Sequence, residues 1–154
     1  MELTRILKPE AVKVFSAASS KKRLFQEIGD VAHGAYGLDA SVTVDALLER
    51  EGLGPTGVGH GVALPHARMN GLSSVVGAFV MLEKPIDFGA VDRQPVDIAF
   101  ALFAPEDAGV DHLKALALVS RTLREPSLCS KLRANLDPTT LYALLTAAQS
   151  VQAA

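Results

Sequence analysis

A glycine-rich segment that ends in a proline and a histidine holds the residues with the clearest chemical potential. Residues 57–68 are GVGHGVALPHAR, with glycine at three alternate positions before Pro65 and His66. Glycines let a backbone approach a small ligand closely and offer it N–H groups. Because proline favours an extended residue before it, we expect Leu64 to end a strand and to present His66 at its edge. A neutral imidazole there is a competent nucleophile.

Arg50 and His112 could complete a site around this histidine. Arg50 falls on the last turn of a predicted helix, just before the glycine segment, and its planar fork suits phosphate or carboxylate oxygens. His112 falls in the first turn of another predicted helix, where the dipole favours a neutral imidazole that can donate to an anion. Strand and helix ends meet at one rim of an α/β sheet. Together these residues predict a site that receives a phosphoryl group on histidine.

The same residues allow other readings. A histidine after a proline is also typical of a structural histidine, and Arg50 could simply complement its helix dipole. A metal site built from the four histidines is a second class, but none has a carboxylate partner at ligand spacing such as HExxH. A protein-interaction module that lacks the chemistry is a third. The chain carries no phosphate-binding GxxxxGK[ST] loop and no dinucleotide fingerprint, so we expect no metal and no cofactor.

Composition narrows the class of protein further. The chain has 154 residues, 49% of them hydrophobic, which is enough for one domain with a substantial core. The formal net charge of −2 gives no electrostatic case for binding nucleic acid. The single cysteine, Cys129, excludes an internal disulfide and is expected to be buried on a helix. With no secretory signal and no apolar stretch of spanning length, we expect a cytoplasmic protein that does not insert into membranes.

Hydrophobic periodicity predicts helices and strands that alternate along the chain. Apolar residues three and four apart predict a helix over residues 21–36, with Ser19 or Ser20 as its N-cap and Gly37 after its end. Further helices are predicted over residues 43–51, 111–124 and 127–133 and from Pro138, with Thr43 and Asp111 as start signals. Buried strands are predicted over 74–82 and 96–103, and short edge strands over 12–15 and 86–88, the latter after a turn at 83–85. This order predicts a single α/β domain whose small mixed sheet is sandwiched between helices.

The string Gly-x-Gly-x-Gly-x-Ala-x-Pro-His, preceded by Arg50-Glu51 and Thr56, closely resembles a known phosphorylation motif. It is the motif of the IIA proteins of the bacterial phosphotransferase system, fructose/mannitol class. The predicted strands near residues 76–82 and 94–105, and the helix that opens with His112, are also similar to that family. The resemblance covers residues 5 to 146 and implies one type-2 IIA domain over residues 1–154. The free-standing chain most resembles the nitrogen-regulatory branch.

The resemblance implies a role for each matching residue. His66 matches the histidine phosphorylated by a phosphocarrier protein of the HPr type, and His112 matches a second active-site histidine that hydrogen-bonds the phosphoryl group. Arg50 matches an arginine beside the site and Thr56 a small hydroxyl residue in the loop, and both are expected to bind the phosphoryl group. His60 stands where the family often has Asn or Glu, and we expect it to make a further polar contact.

The implied activity is that of a phosphohistidine carrier rather than a multi-turnover enzyme. The phosphoryl group would move in line from a donor phosphohistidine to His66, and the phosphorylated state would act as a signal to regulated target proteins. The alternative within the family is a sugar-transport IIA that passes the group to a separate IIB protein. An apolar rim at Leu64 and Met69, with Arg68 beside it, is the predicted docking surface.

Overall fold

The computed structural model describes the backbone of residues 1–153 and the side chains of residues 1–148. The helices within that part are α1 (Leu3–Ile6), α2 (Lys21–Tyr36), α3 (Ala40–Gly52), α4 (Val110–Leu123), α5 (Pro126–Arg133) and α6 (Pro138–Ala153). The strands are β1 (Leu7–Phe15), β2 (Gly57–Gly59), β3 (Val62–Ala63), β4 (His66–Met69), β5 (Val76–Ile86) and β6 (Val96–Pro105). Within the described residues, no helix combines the length and the apolar character needed to cross a membrane.

The strands form one mixed sheet in the order β1-β5-β6-β3-β2, and β4 also pairs with β6. β5 and β6 are antiparallel and central, and most of their side chains are buried. β1 is parallel to β5 at one edge, whereas β3 and β4 are parallel to β6 on its other side. The near-continuous apolar runs that predicted two strands covered on both faces therefore belong to the centre of the sheet.

Helices lie in two groups around this sheet. α2 and α3 pack on each other, α2 against β1 and β5 and α3 against β4. α4, α5 and α6 also pack together, and they contact the sheet at β6 and β1. Five phenylalanines are fully buried in the resulting core: Phe25, Phe79, Phe88, Phe100 and Phe103. The predicted fold, a small mixed sheet between helices in one domain, is confirmed.

Pro65 divides the strand segment that leads to the focal histidine. The prediction that Leu64 ends a strand is wrong: β3 ends at Ala63, and His66 begins β4 rather than following a strand end. Proline has no N–H for the ladder, so regular pairing stops there. Its carbonyl still accepts from Leu102 N at 2.9 Å, which keeps the chain beside β6 until β4 begins.

Helix ends follow their capping residues. α2 has the predicted bounds: the Ser20 side chain accepts from Arg23 N, and Gly37 adopts φ 73° after the last turn. α3 begins at Ala40 rather than Thr43, because Asp39 is the N-cap and accepts from Val42 N at 2.9 Å. The predicted N-cap of α4 is also wrong: Asp111 lies within the first turn and Gly109 takes the cap position.

One error in the predicted strands concerns the end of β5, and the strands β2 and β4 were not predicted. A turn was expected over residues 83–85 and a separate short strand over 86–88, but β5 runs to Ile86, which pairs with Val96. Exposed Glu83 and Lys84 resemble a turn in sequence, yet Lys84 N donates to Ser16 O at 3.0 Å. The edge strand predicted over 12–15 exists and is longer, beginning at Leu7.

Candidate functional site

His66 stands at the start of β4, half-buried, with a hydrogen bond at each ring nitrogen. Its Nδ1 lies 2.9 Å from the main-chain oxygen of Leu64. A carbonyl oxygen only accepts, so Nδ1 carries the proton. Its Nε2 lies 3.2 Å from Nε of Arg50, which donates to it. The imidazole is therefore held in the Nδ1–H tautomer, and the lone pair is on Nε2.

Burial is the main reason why the pKa of His66 is lowered from 6.5. The bond to the Leu64 carbonyl acts against that shift, the cation of Arg50 adds to it, and the carboxylate of Glu51 opposes it. The ring is consequently neutral at pH 7. A neutral imidazole with a lone pair on one ring nitrogen is the form that attacks an electrophile.

Arg50 reaches the site from the last turn of α3, as the sequence predicted. Besides its bond to His66, its Nη1 donates to the main-chain oxygen of Gly54 at 3.0 Å. That bond fixes the guanidinium against the loop that follows α3. The remaining nitrogen, Nη2, has no hydrogen bond to the described residues, so a donor is available for an anion bound at His66.

His112 lies in the first turn of α4, and its ring packs edge-on against that of His66. The ring centroids are 5.5 Å apart and the interplanar angle is 72°. Burial, followed by the nearby His66 and Arg68, lowers the pKa of His112 to about 4. Its Nε2 is buried and has no hydrogen-bond partner among the described residues. A buried polar nitrogen without a partner is unfavourable, so this atom is suited to a group that binds beside His66.

Thr56 is buried at the start of the glycine segment, where its polar groups bond to Glu51. Its hydroxyl donates to Oε2 of Glu51 at 2.6 Å, and its N–H donates to Oε1 at 3.0 Å. The hydroxyl can still accept a hydrogen bond, but its proton is engaged. Sequence reasoning did not assign a role to Glu51. The signal that could have found it is its position directly after Arg50 and before the glycines.

His60 lies at the turn of the β2–β3 hairpin. Its backbone adopts φ 57°, its N–H donates to Oδ2 of Asp92, and its carbonyl accepts from Nη2 of Arg133. The hydrogen bonds found for this residue are thus to Asp92 and Arg133 and not to His66, Arg50 or His112. Its side chain is exposed, and its expected contact with the phosphoryl group remains a prediction.

Two of the three residues predicted to form the docking rim are not exposed. Leu64 and Met69 are both buried, at 6% and 4% exposure, because β3 and β4 press this segment against β6. Arg68 is exposed, and its Nη1 donates to Glu106 O. The exposed apolar side chains beside the site are instead Leu53, at the end of α3, and Leu113, next to His112, at 82% and 67% exposure.

Cys129 and His33, two further residues able to do chemistry, are each bonded to a main-chain oxygen. Cys129 is buried on α5, as expected, and its thiol donates to Leu123 O. His33 bonds through Nδ1 to Leu38 O at the end of α2. No group of three or more His, Cys, Asp or Glu able to hold a metal ion occurs within the described residues.

The fold and this geometry define a class: an α/β domain that presents two neutral imidazoles and an arginine beside a glycine-rich hairpin, at a site suited to an anionic group. The chain belongs to the family described as "Phosphoenolpyruvate-dependent sugar phosphotransferase system, EIIA 2", which matches residues 5–148. The resemblance identified from the sequence is therefore confirmed.

Three individual proteins illustrate how similar this chain is to members of the family. A nitrogen regulatory protein of Bradyrhizobium diazoefficiens is 43% identical over 145 residues, covering 94% of this chain and 95% of that protein. The crystal structure of nitrogen regulatory protein IIA-Ntr from Neisseria meningitidis superposes with a TM-score of 0.85 at 34% identity, covering 92% and 97% of the two chains. A fructose-specific EIIA component of Haloferax volcanii is 33% identical over 132 residues, covering 85% and 86%.

Proposed function

We propose that the protein is a phosphocarrier in which Nε2 of His66 accepts a phosphoryl group from the phosphohistidine of an HPr-type protein in the cytoplasm. The observation that carries this proposal is the pair of hydrogen bonds on the ring. Leu64 O fixes the proton on Nδ1 at 2.9 Å, which leaves the lone pair on Nε2, the nitrogen that Arg50 contacts. The nucleophile is thus set in one tautomer before any donor arrives.

Transfer needs no protonation of the accepting ring. The bond between phosphorus and the donor imidazole breaks as a new bond forms between phosphorus and Nε2. The donor ring, protonated on its other nitrogen, leaves as a neutral imidazole, while His66 keeps its proton on Nδ1 and takes over the positive charge of the ring. Catalysis then consists mainly of positioning and charge stabilisation. Arg50 gives up its bond to Nε2 and turns its guanidinium to the phosphoryl oxygens, while Nη1 keeps its anchor on Gly54.

His112 provides the second contact to the phosphoryl group. Its ring is neutral at pH 7, so it can donate one N–H without adding a full charge. The buried Nε2 gains in the phosphorylated state the partner that it lacks here. Its edge-on packing against His66 also restricts rotation of that ring.

We propose that phosphorylation of this protein regulates nitrogen-related target proteins. The two relatives named above as nitrogen regulatory proteins cover nearly the whole chain and support this assignment. A phosphoryl group adds about 1.5 to 2 negative charges at the rim of the sheet and so changes which surfaces can dock there. Equal binding of a target to the two forms would argue against regulation.

Intact mass spectrometry at neutral to alkaline pH tests the carrier function. The protein is incubated with a phosphorylated HPr-type donor, with His66→Ala and His112→Ala in parallel. We expect one acid-labile phosphoryl group on the wild type, none on His66→Ala, and a slower or less stable product on His112→Ala. Labelling that persists in His66→Ala, or no labelling of the wild type, would exclude His66 as the acceptor.

Transfer onward to a separate IIB protein is the second candidate function. The fructose-specific EIIA relative favours it, because that protein is named as a component of a sugar system. An assay with the phosphorylated chain and a fructose-type IIB protein separates the two functions. Fast transfer to the IIB cysteine would indicate sugar transport, whereas retention of the group would support the regulatory function.

A further inference from the structure

Glu51 is a buried carboxylate that joins three elements next to the site. Only 6% of its side chain is exposed, and Nζ of Lys21, at the start of α2, donates to its Oε1 at 2.9 Å. The N–H and hydroxyl of Thr56 donate to the same carboxylate at 3.0 and 2.6 Å. Three donors on two oxygens hold the first turn of α2, the end of α3 and the start of the glycine segment together.

One chain of hydrogen bonds connects this carboxylate to Nδ1 of His66. Thr56 is held by Glu51, and the carbonyl of Thr56 accepts from Leu64 N at 2.9 Å. The carbonyl of Leu64 in turn accepts from Nδ1 of His66 at 2.9 Å. Displacement of Thr56 would therefore shift the oxygen that determines which ring nitrogen carries the proton.

A second connection runs from Glu51 to the other ring nitrogen. Glu51 follows Arg50 in the chain, and Nε of Arg50 donates to Nε2 of His66. The loop after α3 is closed by backbone bonds from Leu53 N to Arg50 O and from Gly54 N to Glu51 O, both at 3.1 Å. Because the side chain of Glu51 also binds Thr56, this one residue fixes both ends of the loop that Arg50 contacts at Gly54.

We propose that Glu51 is a positioning residue for phosphoryl acceptance, which holds both ring nitrogens of His66 through Thr56 and Arg50 and so maintains the Nδ1–H tautomer. Its contacts are with Thr56 and Lys21 and not with the reacting nitrogen, so its effect on the reaction is indirect. The kinetic part of this inference rests on the proposed function. The tautomer of His66 can be measured without any donor.

The chemistry of the site explains why a carboxylate is needed. Three N–H or O–H donors converge on Glu51. An amide at this position would keep one accepting oxygen for the two N–H donors, but its NH2 group would face the Thr56 hydroxyl, which would have to reverse its bond and accept. Lys21 is itself held, since its Nζ lies 4.2 Å from the ring centroid of Phe88. Glu51→Gln therefore keeps the size of the side chain but removes the charge that binds Lys21 and reverses or breaks the bond to the Thr56 hydroxyl.

The first measurement is the ¹⁵N spectrum of the His66 imidazole at pH 8 in the unphosphorylated protein. Glu51→Gln is compared with Glu49→Gln, which makes the same change at an exposed residue of the same helix. We expect a protonated Nδ1 and an unprotonated Nε2 in the wild type and in Glu49→Gln. In Glu51→Gln both nitrogen shifts should move toward the average of two tautomers, while the backbone amide spectrum stays that of a folded protein.

Thr56→Val provides an independent variant if Glu51→Gln does not fold. It removes the hydroxyl that bonds to Glu51 and keeps the volume, so it should alter the His66 shifts in the same sense. Thr56→Ser restores the hydroxyl and should restore the wild-type spectrum. Both changes act on the bond between Glu51 and Thr56. The variant that combines Glu51→Gln with Thr56→Val should therefore lose less of the rate of phosphoryl acceptance than the product of the two separate fold losses.

The rate of phosphoryl acceptance is the second readout. A ring misplaced by about 1 Å can lose on the order of 100-fold in rate, so we expect Glu51→Gln to accept the group about tenfold more slowly than Glu49→Gln. Wild-type His66 shifts and rate in both Glu51→Gln and Thr56→Val would overturn the proposal. If the tautomer changes but the wild type accepts no phosphoryl group from the donor, the proposed function fails while the positioning role of Glu51 is supported.

Discussion

At the scale of single residues, the two imidazoles of the site are kept neutral for related but unequal reasons. Burial dominates for both, but His112 has no hydrogen bond at Nε2 to offset it, whereas His66 has the Leu64 carbonyl. His112 is therefore the more strongly shifted ring. Two neutral rings in edge contact avoid the repulsion that two imidazolium ions would have.

The lowered pKa of His66 predicts an unusual pH dependence of phosphoryl acceptance. Protonation of Nε2 removes the nucleophile, and this requires a pH below the ordinary value of 6.5. We expect the rate to fall on acidification with a midpoint below pH 6.5. Initial rates with a pre-phosphorylated donor, together with an NMR titration of the ring, test this. A midpoint at or above 6.5 for His66 would contradict it.

His112 predicts that the folded state loses stability in acid. Its pKa is about 4 in the folded protein against about 6.5 when unfolded, so the unfolded chain binds the proton more readily. Stability should be full above pH 6.5 and should fall by on the order of 2 to 3 kcal/mol as the pH approaches 4.

The control for this loss is His112→Gln, which removes the titrating group. Urea unfolding at pH 7 and pH 4.5 gives the free energy of unfolding of both proteins. The free energy of unfolding that is lost between pH 7 and pH 4.5 should be smaller in His112→Gln than in the wild type, by about the contribution expected from His112. An equal loss in both proteins would assign the acid sensitivity to other groups.

At the scale of elements, the glycine segment is shaped by a close approach as well as by its hairpin. A Cβ atom on Gly57 would lie 2.7 Å from Cβ of Ala90 and 3.0 Å from its Cα. Glycine is therefore required where β2 passes the 88–90 loop, and this contact helps to define where Thr56 and the hairpin lie. The positive φ of His60 and Gly61 at the turn is a separate requirement, set by the reversal of the chain.

Gly57→Ala should be destabilising, while a matched alanine elsewhere should not. Because backbone must shift to admit the methyl group, we expect the free energy of unfolding to fall by roughly 1 to 3 kcal/mol. Gly34→Ala is the control, since that position lies within α2 and has nothing within 4 Å of the added atom; it should gain roughly 0.5 to 1 kcal/mol. Chemical denaturation measures both, and equal effects would contradict the steric argument.

At the scale of the whole molecule, exposed apolar side chains lie near Arg50 and His112 in the sequence and are available for a partner protein. Leu53 at the end of α3 and Val110 and Leu113 in the first turn of α4 are all more than half exposed. They flank Arg50 and His112 in sequence. In the proposed transfer a donor protein brings its phosphohistidine to His66, and apolar contacts at these residues are suited to holding it there.

Leu113→Glu should slow transfer from a protein donor without affecting the chemistry of His66. We expect a rate about tenfold lower with an HPr-type donor, because a charge replaces apolar contact area. The rate with phosphoramidate, a small donor that needs no docking, should be unchanged. Leu136→Glu is the control, since Leu136 is 53% exposed between α5 and α6 and away from the site in sequence. Equal losses with both donors would place Leu113 in the reaction itself and not in docking.

Local sequence patterns predicted much of this fold, because the side-chain spacing and helix capping that they reflect act within a few residues. Apolar spacing and the Ser20 and Gly37 caps predicted α2 to the residue, and apolar runs predicted β5 and β6 as buried strands. Element ends depended on more distant contacts and were less well predicted. Residues 83–85 look like a turn, yet β5 continues through them because Lys84 bonds to Ser16 and Ile86 pairs with Val96.

The sequence by itself determined the family and the residues able to do chemistry, since a motif is a property of residue types and spacing. Only the tertiary structure decided which ring nitrogen of His66 carries the proton and which carries the lone pair. The Nε2 lone pair of His66 results from a carbonyl two residues away and an arginine sixteen residues away, which a pattern cannot orient. Likewise Lys21 and Glu51, thirty residues apart, meet only because α2 and α3 pack together, and so the ion pair that holds the buried carboxylate could not be inferred from spacing.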